Sequence, residues 1–271
     1  MEAANDGRGR MTLEDKAAWE QAEIERSTFE AAQTSDEQLV ASPKQIARYM
    51  SPSQTTVYPL EYAFSLLGDI RGKRVLDLGC GSGENSLLLV RRGARVHGVD
   101  ISEALIGVAK TRLRVNGSAG GAAFVVGSAH DLPVRPASVD IILGIAVLHH
   151  LDLDASAREV HRALKPGGRG VFQEPVRDTA VIKAVRRAIP YRRPGVSPYE
   201  RPLSSQELAR FGERFSSHRE RAFALPFVRL AEAIPRLRPY VHGAYRLDGA
   251  LLKRLPPLAA YSAIRVIEVV K

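Results

Sequence analysis

Apolar positions divide the chain into short buried strands and longer amphipathic helices. Arg74 to Leu78 and Val96 to Asp100 are short apolar runs with β-branched residues, which is typical of parallel strands covered on both faces. The spacing of apolar residues predicts helices at Leu13 to Ala32, Tyr58 to Leu67 and Asn85 to Arg92. The alternation of strands and helices from residue 74 onward predicts an α/β fold.

Three glycines separate the first predicted strand from the helix that follows it. Gly79, Gly81 and Gly83 let the backbone turn sharply and come close to a ligand, because they have no Cβ. The free N–H groups in the first turn of the next helix would suit a ligand carboxylate.

A carboxylate at the end of the second predicted strand decides how to interpret the loop. Asp100 follows the loop by about 20 residues, where a doubly wound fold places the acid that binds a ribose diol. Glu84 stands where a dinucleotide site requires its third glycine, so the pattern disfavours a nicotinamide enzyme.

The G-x-G-x-G loop with Asp77 two residues before it resembles the class I S-adenosylmethionine (SAM) dependent methyltransferases. The resemblance continues through Phe124 to Pro133, Ser138 to Leu143 and Arg158 to Gly168, and covers Gly72 to Pro175. It implies a Rossmann-like, doubly wound sheet of seven strands, mostly parallel with an antiparallel seventh strand, plus N-terminal helices and a helical insertion near the C-terminus.

Four regions follow from this organisation. Residues 1–10 are expected to be a disordered end, 11–68 an N-terminal helical cap or lid, and 69–175 the SAM-binding core. Residues 176–271 would complete the sheet, with strands at Ser217 to Leu225 and Ser262 to Val270. Phe227 to Leu255 is too long for a hairpin and is interpreted as a helical insertion over the substrate mouth.

The resemblance also implies a set of cofactor contacts. Asp77, Gly79, Gly81 and Gly83 would hold the amino-acid end of SAM, Asp100 the ribose and Ile101 the adenine face; Ser128, Ala129 and His130 would frame the adenine edge. Family members commonly carry an acid where Ser128 stands. Its hydroxyl can accept one bond, and His130 can substitute for the acid.

Candidates for proton removal lie after the fourth and fifth predicted strands. His149, His150 and Glu174 would meet the transferred methyl, because parallel strands end at the edge of the sheet that carries the glycine loop. Imidazole is a suitable general base near neutral pH, although one histidine can instead cap the strand end. Tyr58 and Tyr62, four residues apart on one helical face, either touch the substrate from a lid or pack in the core.

Charge is distributed unevenly along the 271 residues. The net charge is +9, and residues 176–271 contribute +11, from 19 Lys and Arg against 8 Asp and Glu. This excess indicates either an anionic small-molecule acceptor or nucleic acid, or it is a solvated arginine-rich surface. Cys80 is the single cysteine and cannot form an internal disulfide. No apolar run suits a membrane span or a signal peptide, so a cytoplasmic enzyme is expected.

Three function classes stay open. The first is methyl transfer from SAM, with S-adenosylhomocysteine as product, to an O, N or C nucleophile of a small molecule in specialised metabolism. The second is an RNA or other nucleic-acid methyltransferase, disfavoured because Gly144 to Val147 replaces the Asn/Asp-Pro-Pro-aromatic motif of amino-methylating types. The third is a silent SAM-binding protein. No metal site is expected, since Asp152 and Asp154 fit a solvated loop start, and a homo-oligomer with swapped N-terminal helices stays open.

Overall fold

A computed structural model of the chain describes residues 13–177 and 202–271. The expected disordered end at residues 1–10 lies outside the described residues, as does a helix that the sequence predicts at Thr179 to Ile189. Within the two described ranges, no helix is long and apolar enough to cross a bilayer.

Seven strands form one sheet in the order β3-β2-β1-β4-β5-β7-β6. The strands are β1 (Arg74–Leu78), β2 (Arg95–Asp100), β3 (Ala122–Val126), β4 (Val139–Ile145), β5 (Leu164–Pro175), β6 (Ser217–Phe223) and β7 (Ile264–Val270). The strands β1 to β5 pair in parallel, and β7 runs antiparallel to both β5 and β6. The predicted doubly wound sheet with an antiparallel seventh strand is confirmed.

Helices surround this sheet on both faces. They are α1 (Leu13–Ala32), α2 (Asp36–Leu39), α3 (Pro43–Met50), α4 (Pro59–Leu66), α5 (Glu84–Arg91), α6 (Glu103–Val115), α7 (Leu153–Ala163), α8 (Ser205–Gly212), α9 (Pro226–Ala233) and α10 (Val241–Arg254). Successive strand residues point to opposite faces, so Val75 enters one apolar layer and Leu76 the other. Both faces of the central strands are therefore buried, as the apolar runs predict.

The N-terminal helices are anchored to α6. Asn116, which ends α6, accepts a hydrogen bond from the N–H of Ala41 at 2.9 Å and donates to the carbonyl of Leu39 at 2.8 Å. Arg112 Nε donates to the carbonyl of Ser82 in the glycine loop at 2.8 Å. The same helix thus fixes the segment after α1 and the loop after β1.

The helical insertion between β6 and β7 packs against Tyr58, the residue that precedes α4. The hydroxyl of Tyr58 lies 2.7 Å from His242 Nδ1, and its ring lies 4.9 Å from that of Tyr245. Asp248 accepts hydrogen bonds from the N–H groups of Ala224 and Leu225 at 3.0 and 2.8 Å. These contacts fasten α10 to the end of β6.

Candidate active site

The glycine loop after β1 has backbone angles that disfavour other residues. Gly79 and Gly81 have φ values of +65° and +48°, in the left-handed region. A Cβ on Gly79 would lie 2.5 Å from Val147 Cγ2, whereas one on Gly81 would meet nothing within 4 Å. Gly79 therefore lets the loop pack on the segment after β4, and Gly81 faces open space.

Asp100 ties the loop to the end of β2. Its Oδ2 accepts the N–H of Gly81 at 2.8 Å, and its Oδ1 accepts the N–H of Ser102 at 2.9 Å. Burial raises the pKa of this carboxyl, although the two N–H bonds oppose the rise. The carboxylate lines a cavity, where it can accept further hydrogen bonds from a diol.

Asp77 lies beneath the loop rather than in the cavity. Its side chain is buried, and Ser86 Oγ donates to its Oδ2 at 2.6 Å. Burial, together with the charge of Asp100, raises its pKa to about 7. The structure thus gives Asp77 a contact with α5, and it places neither Asp77 nor Gly83 in the cavity lining.

The cavity has a volume of about 190 Å³ and opens between the loop and the carboxyl ends of β2, β3 and β4. The sheet side is formed by residues predicted from the sequence: Gly79, Gly81, Asp100, Ile101, Ser128, Ala129, His130 and His150. Val99, Leu105 and Val147 add apolar surface. Eight of the residues predicted from the sequence therefore lie in this wall, and their contacts with a cofactor stay a prediction.

The opposite wall is the helix α1. Its lining side chains are those of Trp19, Glu20, Glu23, Arg26, Ser27 and Glu30. Positions 20, 23, 27 and 30 follow helical spacing, so they share one face of α1. Sequence reasoning missed these residues, although a Trp and three Glu on one helical face were a signal for them.

Two histidines of the core pair with glutamates of α1. Glu20 Oε1 lies 2.6 Å from Ser128 Oγ and 3.1 Å from His130 Nδ1. Glu23 Oε1 lies 3.2 Å from His150 Nδ1. Burial opposes ionisation of Glu23, but His150 and Arg26 outweigh it and lower the pKa of this carboxyl to about 2.

His149 and Glu174 form a buried pair behind the cavity. His149 Nδ1 lies 2.8 Å from Glu174 Oε2, and Glu174 Oε1 accepts the N–H groups of Val147 and Leu148 at 2.9 and 2.8 Å. The rings of His149 and His150 are 4.0 Å apart. Neither His149 nor Glu174 lines the cavity, so together they fix the segment that presents His150.

The remaining candidates lie elsewhere. Tyr58 and Tyr62 do not line the cavity: Tyr58 contacts the insertion, and Tyr62 packs against Phe223 with a ring distance of 5.5 Å. No described residue of 226–261 lines the cavity either. The expected cover over the site is formed by α1, not by the insertion or the tyrosine pair.

Comparisons with known proteins agree with this arrangement. Residues 76–172 match the family described as a methyltransferase domain. Over this span, about a third of the 271 residues, the chain is similar to methyltransferase domains. The matched span begins in β1 and ends in β5, so it contains the glycine loop, Asp100, His130 and His150.

Curated relatives resemble this domain and not the whole chain. Methyltransferase GfsG of Streptomyces halstedii is 37% identical over 111 residues, which are 40% of this chain and 40% of that protein. A ubiquinone biosynthesis O-methyltransferase of Azoarcus sp. is 34% identical over 104 residues, 38% of this chain and 44% of that protein. The chain spans less than half the length of these relatives.

A solved structure shares the fold over a longer span. Geranyl diphosphate C-methyltransferase from Streptomyces coelicolor, crystallised with Mg²⁺, geranyl diphosphate and S-adenosylhomocysteine, gives a TM-score of 0.53. The match covers 77% of each chain at 19% identity. The likeness in fold therefore extends beyond residues 76–172.

Proposed function

We propose that this protein transfers a methyl group from SAM to an O, N or C nucleophile of a small molecule. The observation that carries the proposal is a single cavity lined by Gly81, Asp100 and His150. The glycine loop, a carboxylate that suits a ribose diol and a histidine that can act as a base all face this cavity. The methyltransferase domain at residues 76–172 supports the same reaction class.

The chemistry of the cavity fits SAM. A Cβ on Gly81 would enter open space, so this glycine leaves room for a ligand against the loop. Four carboxylates line the cavity against one guanidinium, from Glu20, Glu23, Glu30 and Asp100 against Arg26. This acidic lining suits the sulfonium and ammonium groups of SAM. It lends no support to the anionic acceptor that the charge of residues 176–271 suggested.

The size of the cavity implies movement of α1. About 190 Å³ is less than the roughly 300 Å³ at which ligand pockets usually begin. The side chains of α1 occupy part of the space between the glycine loop and the end of β3. We infer that α1 shifts outward to admit the cofactor and then closes over it, which would exclude water from the reaction.

His150 is the proposed general base. When bound, SAM supplies an electrophilic methyl group, so the protein mainly has to position the acceptor and take its proton. His150 lines the cavity, and Glu23 would stabilise the imidazolium formed when His150 accepts that proton. His149 and Glu174 act as positioning residues, because they hold the backbone from 147 to 149.

Calorimetric titration with SAM and S-adenosylhomocysteine tests the cofactor site. We expect dissociation constants on the order of micromolar for the wild type and a loss of about tenfold or more in Asp100→Asn. Asp154→Asn, at the exposed start of α7, is the matched control and should bind normally. A wild-type protein that binds neither ligand would refute the proposal.

Turnover is measured as S-adenosylhomocysteine formation with a panel of phenols, amines and carboxylic acids. We expect His150→Gln to lower the rate by roughly 100-fold at unchanged cofactor affinity, the scale of general-base catalysis. Equal rates in His150→Gln and the wild type, with an accepted substrate, would remove the base assignment. No described residue of the basic C-terminal part lines the cavity, so the nucleic-acid alternative gains no observation in its favour.

A further inference from the structure

The end of β3 lacks the acid that the class I resemblance implies for the adenine edge, because Ser128 stands at that position. The structure brings a carboxylate to the same place from a distant part of the chain. Glu20 of α1 is separated from Ser128 by 108 positions, yet its Oε1 lies 2.6 Å from Ser128 Oγ. Both side chains line the cavity beside Ala129.

The hydrogen bonds around Glu20 define its orientation. His130 Nε2 accepts the N–H of Asp152 at 2.9 Å, so the neutral ring carries its proton on Nδ1. Nδ1–H can then donate to Glu20 Oε1 at 3.1 Å, and Ser128 Oγ donates to the same oxygen. Two donors from the core therefore fix one oxygen of this carboxylate.

The same bonds show why Ser128 and His130 do not replace the missing acid themselves. The hydroxyl proton of Ser128 points to Glu20, and its oxygen accepts the N–H of His130 at 3.1 Å. The two ring nitrogens of His130 are engaged by Glu20 and by the backbone of Asp152. Both side chains position Glu20, and a carboxylate can accept more than these two hydrogen bonds.

We propose that Glu20 accepts a hydrogen bond from the exocyclic amino group of adenine, and that the N-terminal helix thereby selects the base of the cofactor. The assignment rests on the proposed function, because it requires SAM in this cavity. It makes Glu20 a specificity-determining residue and gives α1 a direct part in cofactor recognition. A charge-assisted hydrogen bond of this kind corresponds to roughly a tenfold or larger factor in affinity.

The test compares S-adenosylhomocysteine with its 6-oxo analogue, S-inosylhomocysteine, in which a carbonyl replaces the amino group. The wild type should bind the amino ligand about tenfold or more tightly, because a carboxylate repels the oxo group. In Glu20→Gln, Ser128 and His130 still donate to the amide oxygen, so the amide NH₂ faces the base. The preference should therefore fall below about twofold or invert.

Glu25→Gln is the matched control. Glu25 lies on the same helix, is exposed and contacts Gln21 on α1, so this variant should keep the wild-type ratio. The measured quantity is the ratio of the dissociation constants of the two ligands for one variant. Partial unfolding weakens the binding of both ligands equally, so it does not change this ratio.

The outcomes separate the two proposals. An unchanged ratio in Glu20→Gln, or a wild type that binds both ligands equally, would overturn the role of Glu20 and leave the proposed function standing. A wild type that binds neither ligand would overturn the proposed function first. A reduced or inverted ratio in Glu20→Gln, with Glu25→Gln unchanged, would support the assignment.

Discussion

The buried carboxyl of Asp77 should make the stability of this protein depend on pH in an unusual direction. Folding moves its pKa from 3.8 to about 7, because the side chain is fully buried and the charge of Asp100 lies nearby, and the hydrogen bond from Ser86 only partly opposes this rise. An acid with a raised pKa holds its proton in the folded state where the unfolded chain has lost it. Its stabilising effect is therefore present at low pH and lost as the pH rises toward about 7.

The magnitude follows from the two pKa values. A difference of about 3 corresponds to roughly 4 kcal/mol, and about 2 to 3 kcal/mol of it develops between about pH 5 and pH 8. Asp77→Asn removes the titration and keeps an oxygen that can accept from Ser86. The variant should therefore gain about 2 to 3 kcal/mol relative to the wild type over that interval.

Urea denaturation followed by far-UV circular dichroism, at about pH 5 and about pH 8, measures this difference. Asp154→Asn serves as the control, since Asp154 is exposed and its replacement should not change the pH dependence. If the stability difference between Asp77→Asn and the wild type varied by less than about 0.5 kcal/mol across the interval, the reasoning from burial would fail.

Three further outcomes follow from the contacts. Gly79→Ala should lower the free energy of unfolding by about 2 to 4 kcal/mol, because its Cβ would overlap Val147 at a positive φ. Gly81→Ala should lower the free energy of unfolding by about 1 kcal/mol and should mainly weaken cofactor binding, since its Cβ enters open space. Denaturation measures the first effect and calorimetric titration the second. Glu23→Gln should reduce turnover by about tenfold at an unchanged Kd for S-adenosylhomocysteine, and a normal rate would contradict its support of His150. Asp248→Ala should cost about 3 kcal/mol in unfolding free energy and Asp248→Asn about half as much, since each oxygen accepts one N–H; equal losses would argue against this pairing.

Local patterns in the sequence predicted the elements that depend on local chemistry. The predicted bounds of the first strand and of the helix from Leu13 to Ala32 agree with β1 and α1. The apolar run from Gly170 to Gln173 predicts only part of the fifth strand, because β5 already pairs with β4 at Leu164 and resumes that pairing at Arg169 after a register shift.

The sheet side of the site was predictable for the same reason. Gly81 and Asp100 belong to a motif whose spacing is fixed by one strand, one loop and the next strand. The α1 side was not predictable, because Glu20 and Glu23 meet His130 and His150 only through tertiary packing. From sequence alone, a helix rich in charged residues is interpreted as solvent-exposed, because the residues that it contacts lie more than 100 positions away along the chain.

The placement of α1 separates the part of the chain that shapes the cavity from the part that forms the sheet. The helix α1 is one continuous segment that forms a whole wall of the cavity, and it contributes no strand to the sheet. Grafting a different sequence onto the inward positions of this helix would change what the cavity admits without altering the strands. The sheet can stay constant while the helix is exchanged, so new specificities are reachable by replacing about 20 residues.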